Sequence, residues 1–167
     1  MEIYGIIILN CEVNFMKKLI IAIGSDHKGF EHKKSIIEHL KINGFEIIDF
    51  GPNTDTSVDY PDYAKGVCKA VQNNEANFGI LICYTGIGMS IVANKYRGIR
   101  ASLVGSIENA FLTRSHNDAN VLCMGAKDTE ISHAIEIVST FLETEFEGGR
   151  HINRVEKIKE VEELEKR

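Results

Sequence analysis

The sequence has none of the bulk features of a nucleic-acid-binding or membrane-spanning protein. Its 19 lysines and arginines are outnumbered by 24 aspartates and glutamates, and the net charge of −5 argues against nonspecific binding to nucleic acid. No run of apolar residues is long enough to cross a bilayer. We therefore expect neither partner, and an anionic small substrate would need a local cluster of basic side chains.

Signatures of a bound metal or nucleotide are also missing. The four cysteines lie far apart, and no pair of them has the spacing of zinc ligands. No histidine or carboxylate cluster has metal-ligand spacing, and neither a GxGxxG nor a GxxxxGK pattern is present. We therefore expect no metal and no other cofactor. Three cysteines sit in apolar runs, which is typical of free thiols in a reducing compartment, so we expect a cytoplasmic protein.

Strand and helix patterns alternate along the chain from residue 16 onward. A length of 167 residues, with 44% hydrophobic and 26% charged residues, suits one domain with a sizeable core. Short apolar runs predict five strands, over residues 19–23, 45–50, 78–83, 99–104 and 120–124. This order predicts an α/β fold, namely a Rossmann-like three-layer α/β/α sandwich with a five-stranded parallel sheet.

Periodicity and capping signals describe the helices between these strands. In the first helix, over residues 28–43, the side chains predicted to face the core are Phe30, Ile37 and Leu40. The second helix has Pro61 in its first turn, where a missing N–H costs little, and Ser106 is placed to cap the helix after strand four. Together these signals place helices on both faces of the sheet.

The two ends of the chain differ from the single domain predicted over residues 16–150. Residues 1–15 have neither the basic start nor the cleavage site of a signal peptide, so they are an N-terminal extension of unknown role. Residues 151–167 form a charged helix that packs either on its own domain or, as we expect, at a subunit interface. Its narrow apolar stripe consists of Ile152, Val155, Ile158, Val161 and Leu164.

The centre of the predicted site is the stretch of residues 80–90. An apolar strand ends at Cys83, and Thr85 and two glycines then open a helix. A helix N-terminus presents unpaired N–H groups that suit an anion, and glycine lets a ligand approach the backbone closely. The pattern predicts a nucleophile or base beside an anion hole, because a thiol at such a position is reactive. The alternative is an inert core cysteine.

Polar residues follow the other predicted strands, at the edge where ligands bind in parallel sheets. Asp26 and His27 follow strand one, Lys127 follows strand five, and the helix after strand four ends at His116 and Asn117. We expect these side chains to gather with the thiol as one chemical set. The alternatives are that Asp26 and His27 are a cap and turn pair, and that His116 only closes its helix.

A basic group follows Gly148 and Gly149 near the end of the chain. Arg150, His151 and Arg154 share one face of a helix start, so they are three cations placed to grip a phosphate. The alternative is a basic surface patch that balances nearby glutamates.

The combination of motifs resembles the type B ribose-5-phosphate isomerases, in a family that also holds galactose-6-phosphate and allose-6-phosphate isomerases. The resemblance runs from residue 16 to about residue 161. It is carried by segments 24–30, 59–61, 83–91, 93–95, 98–101, 116–122 and 147–151. It implies a parallel five-stranded sandwich and a homodimer or dimer of dimers, with the site shared between subunits.

The resemblance also implies a metal-free isomerisation of ribose 5-phosphate and ribulose 5-phosphate through a cis-enediolate, a step of pentose phosphate metabolism. By the same resemblance Cys83 is the base, Thr85 lies near the O1/O2 edge, and His116 opens the furanose ring with help from Asp26. The anion hole consists of the amides of Gly86, Ile87, Gly88, Met89 and Ser90. The substrate and phosphate ligands are His27, Asn117, Lys127, Arg150 and Arg154, with His151 beside them.

Two departures from the family pattern leave the preferred substrate open. Tyr84 stands where a glycine is usual, and Lys127 stands where members often have an arginine. The lysine keeps the positive charge but cannot form the paired, forked hydrogen bonds of a guanidinium group. One alternative is an isomerase of a six-carbon phosphosugar, either allose 6-phosphate or galactose 6-phosphate. The other is a non-catalytic phosphosugar-binding module.

Overall fold

A computed structural model describes residues 18–165, and within them five parallel strands form one sheet. The strands are β1 (Ile20–Ser25), β2 (Glu46–Asp49), β3 (Phe78–Cys83), β4 (Ala101–Leu103) and β5 (Val121–Gly125). The helices are α1 (Phe30–Ile42), α2 (Tyr60–Gln72), α3 (Ile87–Ala93), α4 (Ile107–Asn117), α5 (Ile131–Glu143) and α6 (Arg150–Leu164). The predicted N-terminal extension, residues 1–15, lies outside the described residues.

The sheet order is β2-β1-β3-β5-β4, and every neighbouring pair is parallel. Alternate side chains of the central strands enter two separate cores. Ile80 and Ile82 of β3 face a core covered by α1, α4 and α5, whereas Leu81 and Cys83 face α2 and α3. Each fully buried aliphatic side chain contributes about 1.5–3 kcal/mol relative to exposure. The predicted three-layer α/β/α sandwich is confirmed.

The boundaries of the predicted elements agree with the structure to different degrees. β3 begins and ends at the predicted residues, and Pro61 lies in the first turn of α2. Ser106 caps α4 as predicted, because its Oγ accepts a hydrogen bond from the Asn109 N–H at 3.2 Å. β4 is shorter than predicted, because Ile99 still belongs to a turn in which its N–H donates to the Tyr96 carbonyl.

The predicted inner face of α1 is only partly right. Leu40 is buried as predicted, but Phe30 and Ile37 are only partly covered. The helix instead buries Ile36 and Lys33, and the Lys33 ammonium lies 2.7 Å from both carboxylate oxygens of Asp49. A lysine can be buried when it is paired in this way, and apolar periodicity does not reveal such a pair.

Helix α4 carries the chain from one edge of the sheet to the other. It starts after β4, at the carboxyl edge, and runs back so that it ends beside the start of β4. Arg100 precedes β4, and its Nε–H donates to the Asp118 carbonyl at 2.8 Å while its guanidinium pairs with the Asp118 carboxylate at 2.9 Å. Because the six residues of β3 span about 20 Å at about 3.3 Å each, the two edges are far apart.

Helix α6 lies on the outside of the sandwich. Val155 is buried, but the other four residues of the predicted apolar stripe, 152, 158, 161 and 164, are about half exposed or more. The expected packing of this stripe at a subunit interface stays a prediction. None of the helices within residues 18–165 combines the length and the apolar character needed to cross a membrane.

Candidate active site

The turn from β3 into α3 brings a thiol against backbone amides. Cys83 is buried, and its Sγ accepts a hydrogen bond from the Gly86 N–H at 3.1 Å. Gly86 has a φ of +75°, and a Cβ there would lie 2.5 Å from Leu103 Cδ1, so the turn requires glycine. The predicted anion-hole residues, 86–90, are this glycine and the start of α3. The N–H groups of residues 87–89 have no acceptor within the helix, whereas the Ser90 N–H donates to the Gly86 carbonyl at 3.0 Å, so its place in the anion hole is not supported.

The other two cysteines within residues 18–165 have different surroundings. Burial raises the pKa of Cys68 to about 12. Burial, with the neighbouring thiols of Cys68 and Cys83, raises the pKa of Cys123 well above its ordinary value. Both therefore stay protonated and unreactive at neutral pH. Of the three described cysteines, Cys83 is the one whose Sγ accepts a backbone hydrogen bond.

Asp26 and His27 lie at the same edge as Cys83. The register of β1 and β3 places Asp26 next to Cys83, one position beyond the last ladder pair. One carboxylate oxygen of Asp26 accepts from the N–H groups two and three residues later, both at 2.9 Å, so Asp26 forms a turn as expected, but the N-cap of α1 is Gly29 and no side chain caps the helix. His27 accepts the Val58 N–H at Nδ1, at 3.4 Å. A neutral ring that accepts there carries its proton on Nε2.

A cavity of about 330 Å³ opens beside the turn. Its wall includes Tyr84, Thr85, Ile87, Leu103 and Lys127. The Lys127 ammonium lies 5.9 Å from the centre of the Tyr84 ring, which is within cation–π range. The Thr85 hydroxyl accepts from the Ile87 N–H at 3.4 Å. The cavity is large enough for a small ligand and offers it a hydroxyl, a cation and an apolar wall.

A second polar cluster, here called the amino-edge cluster, forms where α4 ends and α6 begins. The rings of His116 and His151 stack with centroids 4.2 Å apart and planes within 9° of parallel. Oε2 of Glu147 lies 3.4 Å from His116 Nε2 and 3.5 Å from His151 Nε2. Arg150 donates its Nε–H to His151 Nε2 at 3.4 Å, and Arg154 lies 3.3 Å from the other ring nitrogen.

His151 is not the third cation that the sequence pattern predicts. Its burial, with the nearby charges of His116, Arg150 and Arg154, lowers its pKa below the ordinary value of 6.5. His151 is therefore neutral at neutral pH. The prediction of three cations is wrong, because packing against His116 removes this ring from water. The two exposed arginines are the cations available to a phosphate.

Within one chain, the two clusters lie at opposite edges of the sheet. Cys83, Asp26 and Lys127 follow the carboxyl ends of strands, whereas His116 and Asn117 end α4 at the amino edge. The prediction that all of them gather at one edge is therefore wrong for a single chain. The cause is the direction of α4, which returns across the sheet before it ends.

Three groups of the amino-edge cluster could also offer ligands to a metal ion. Nitrogen atoms of His116 and His151 and a carboxylate oxygen of Glu147 lie within 4.8 Å of one another. Sequence spacing does not reveal this set, because only folding brings the three residues together. The guanidinium groups of Arg150 and Arg154 beside His151 oppose a dication, so the cluster suits an anion better.

Two residues beside the clusters received no role from the sequence. Glu147 contacts both stacked histidines. The ring of Tyr60 covers the start of α3, since a Cβ on Gly88 would lie 2.5 Å from it. Both fall within segments that carry the family resemblance, 59–61 and 147–151, and this was the only signal that could have identified them.

Known proteins are similar to this chain in both sequence and fold. Residues 21–158 match the Ribose/Galactose Isomerase family. The ribose-5-phosphate isomerase B of Escherichia coli is 47% identical over 147 residues, which cover 88% of this chain and 97% of that protein.

Two solved structures show the same relationship in three dimensions. Ribose-5-phosphate isomerase B from Clostridium thermocellum has a TM-score of 0.86 at 47% identity, covering 87% of this chain and 99% of that one. Ribose-5-phosphate isomerase B from Mycoplasma genitalium with bound ribulose-5-phosphate has a TM-score of 0.83 at 46% identity, covering 87% and 97%. The similarity therefore extends over nearly all of each relative.

Proposed function

The chain belongs to the ribose/galactose isomerase family of aldose–ketose isomerases, and we propose that it interconverts ribose 5-phosphate and ribulose 5-phosphate without a metal. The observation that supports the proposal most directly is the hydrogen bond in the turn after β3, where the Cys83 sulfur accepts the Gly86 N–H at 3.1 Å beside Asp26. The relative with bound ribulose-5-phosphate supports the choice of substrate. The free thiols within residues 18–165 support a cytoplasmic location, which we also propose.

Cys83 is the proposed base of a cis-enediolate mechanism. As a thiolate it removes the proton from C2 of the open-chain aldose and returns it to C1, while the O2 proton moves to O1. The negative charge on the enediolate oxygens faces the start of α3, where the N–H groups of residues 87–89 have no acceptor within the helix and each contributes about 3–4 kcal/mol in such a role. Thr85 supplies a hydroxyl near O1 and O2. Proton abstraction requires the thiolate to lie within hydrogen-bond reach of the carbon acid.

Ring opening and phosphate binding are assigned to the remaining polar residues. His116 opens the furanose ring with help from Asp26, because the isomerisation needs a free carbonyl. The exposed guanidinium groups of the amino-edge cluster bind the phosphate, which holds the open chain for attack. Besides Arg150 and Arg154, whose guanidinium groups these are, the substrate ligands are His27, Asn117 and Lys127.

The proposal requires a second copy of the chain. His116 and Arg150 lie at the amino edge and Cys83 at the carboxyl edge, so one chain cannot bring them to the same sugar. Apolar side chains next to the Cys83 turn are half exposed on α3, β4 and α4, and a partner would cover them. They are Ile87, Ile91, Leu103, Ile107 and Phe111. We therefore propose a homodimer or dimer of dimers with shared sites.

Turnover measured on several phosphosugars tests the proposal. We expect the wild type to convert ribose 5-phosphate faster than allose 6-phosphate or galactose 6-phosphate, and to keep its rate in a chelator. Cys83→Ala should reduce kcat by about 100- to 10,000-fold, because proton transfer by a side chain contributes that much. Cys68→Ala is the matched control, since it removes a buried thiol that has no such contact.

Each result of this assay has a definite meaning. Near-normal turnover by Cys83→Ala would reject the thiol as the base. Faster conversion of a six-carbon substrate would favour the alternative isomerase, and binding of phosphosugar without turnover would favour the binding module. Loss of activity in the chelator would overturn the metal-free mechanism.

A further inference from the structure

We propose that Glu147 is a positioning residue that holds the His116 ring in the orientation needed for ring opening. Glu147 has no role in the mechanism above, yet it contacts the proposed ring-opening residue. The inference rests on the proposed function, because a positioned His116 matters only if the substrate arrives as a closed ring.

The backbone around Glu147 places this residue beside the end of α4. Its N–H donates to the Ser115 carbonyl at 3.0 Å, which ties the residue to the last turn of α4. Gly148 and Gly149 follow with φ values of +69° and +55°, and this left-handed pair turns the chain directly into α6. The residue is thereby held beside the end of α4, and its side chain, which is 62% exposed, brings Oε2 to 3.4 Å from His116 Nε2.

The stack with His151 restricts the orientations that the His116 ring can adopt. The near-parallel rings at 4.2 Å restrict tilting, so the main freedom of His116 is a 180° ring flip, which moves each ring nitrogen to the position of a ring carbon. A carboxylate beside Nε2 favours the orientation and tautomer in which Nε2 carries the proton. Glu147 therefore leaves Nδ1 as the nitrogen that is free to accept a proton.

The charges around the cluster make His116 the natural donor to Glu147. Nε2 of His151 accepts from the Arg150 Nε–H at 3.4 Å, so this nitrogen carries no proton to donate to Glu147, and Nδ1 lies 3.3 Å from Arg154. Among residues 18–165 the structure gives His116 no guanidinium partner. Its side chain is 34% exposed, whereas that of His151 is 5% exposed, so His116 is the ring that a substrate can reach.

The proposed orientation supplies a balanced proton path for ring opening. Nδ1 of neutral His116 accepts the proton of the anomeric O1 hydroxyl, the bond between C1 and the ring oxygen O4 breaks, and a carbonyl forms at C1. The same nitrogen then delivers the proton to O4, so no proton is gained or lost. The contact of 3.4 Å is long for a hydrogen bond, and such contacts often tighten when substrate binds.

Glu147→Gln tests the role, because it keeps the size of the side chain and removes its charge. We expect turnover of ribose 5-phosphate to fall by about 10- to 100-fold, the usual result of misplacing a reacting group. Turnover of erythrose 4-phosphate should change much less, because its O4 carries the phosphate and no furanose ring can close. Glu136→Gln is the matched control, since Glu136 pairs with His133 at 3.5 Å on α5; it should leave both rates unchanged.

A second measurement does not depend on turnover. Nitrogen-15 NMR of the imidazole rings should show His116 protonated at Nε2 in the wild type and a mixture of tautomers in Glu147→Gln. Equal losses on both sugars, an unchanged rate on ribose 5-phosphate, or an unchanged tautomer in the variant would overturn the proposal. Wild-type protein without ribose 5-phosphate turnover would instead reject the proposed function, and a His116→Ala variant that opens the ring normally would reject the role of His116.

Discussion

Gly86 determines whether the Cys83 sulfur and the α3 amides meet. We expect Gly86→Ala to lower the free energy of unfolding by about 2–3 kcal/mol, because an L-residue is strained at a φ of +75° and needs space that is filled. Its Cβ would lie 2.5 Å from Leu103 Cδ1 and 2.7 Å from the Met124 carbonyl carbon. Any shift of the turn also breaks the 3.1 Å contact with the thiol, so kcat should fall. Urea unfolding and the isomerase assay measure the two effects.

Gly98→Ala is the control for this variant. Gly98 has a φ of +76°, and nothing lies within 4 Å of the Cβ that alanine would add. The control therefore has the strain of the left-handed conformation without the steric overlap of the new Cβ. It should lower the free energy of unfolding by about 1 kcal/mol and leave kcat unchanged. Equal stability losses in the two variants, with equal kcat, would show that the turn does not depend on close packing at Gly86.

Individual residues were predictable where their role is local. The strand end at Cys83, the cap at Ser106 and the turn at Gly86 follow from residue type and near neighbours in the chain. The neutral state of His151 was not predictable, because it arises from burial against a ring that is 35 positions away in the sequence. The buried ion pair of Lys33 was not predicted from the sequence for the same reason. Distant contacts therefore decide charge states that a sequence pattern misjudges.

His151, at the start of α6, should make the stability of the folded chain decrease as the pH falls. Burial, and then the charges of His116, Arg150 and Arg154, lower the pKa of His151 below 6.5. The unfolded chain therefore takes up this proton at a higher pH than the folded chain does. This contribution to stability is complete above about pH 6.5 and is lost as the pH falls through the lowered pKa of the folded state. We expect the Tm of the wild type to fall more steeply than that of His151→Gln over this range.

Thermal unfolding at a series of pH values, followed by circular dichroism, measures this difference. His133→Gln is the control, because His133 lies on the surface of α5 and should leave the slope of the wild type intact. Carboxylates titrate in all three proteins, so only the difference in slope is informative. Parallel curves for the wild type and His151→Gln would show that His151 is not a source of acid sensitivity.

The secondary-structure elements were predictable in proportion to the strength of their pattern. β3 is a continuous apolar run buried on both faces, and its bounds were right. β4 is an edge strand of three residues. The prediction began the strand too early because Ile99, in the turn before it, is apolar; in the structure this residue is buried without belonging to the strand. The apolar stripe of α6 was identified correctly as a pattern. Its partner could not be inferred, since Val155 is the one residue of the stripe that is buried within residues 18–165.

The arrangement of the sheet explains why the candidate site could be listed but not assembled from the sequence. Alternating elements predict a parallel sheet, and its carboxyl edge does collect Asp26, Cys83 and Lys127. A residue at the end of a helix belongs to the opposite edge, because the helix must return to start the next parallel strand. His116 therefore lies far from Cys83 in one chain, and assembly with a second copy is what the proposed chemistry needs.

Mixed dimers of inactive variants provide the direct test of a shared site. We consider one subunit that carries Cys83→Ala and another that carries His116→Ala, coexpressed with different tags and purified as the heterodimer. If each site takes Cys83 from one chain and His116 from the other, one of the two sites contains both intact residues. The heterodimer should then show about half of the wild-type kcat per dimer, although each parent homodimer is nearly inactive.

The reciprocal pairing is the control, and it reverses the outcome. A wild-type subunit paired with a Cys83→Ala, His116→Ala double variant has no intact site if the two residues come from different chains. If both residues belonged to the same chain, this second heterodimer would keep about half of the activity and the first would have none. Activity in the second pairing alone would therefore reject the shared site. Because both pairings contain the same four side chains, a difference in stability or expression cannot produce the expected reversal.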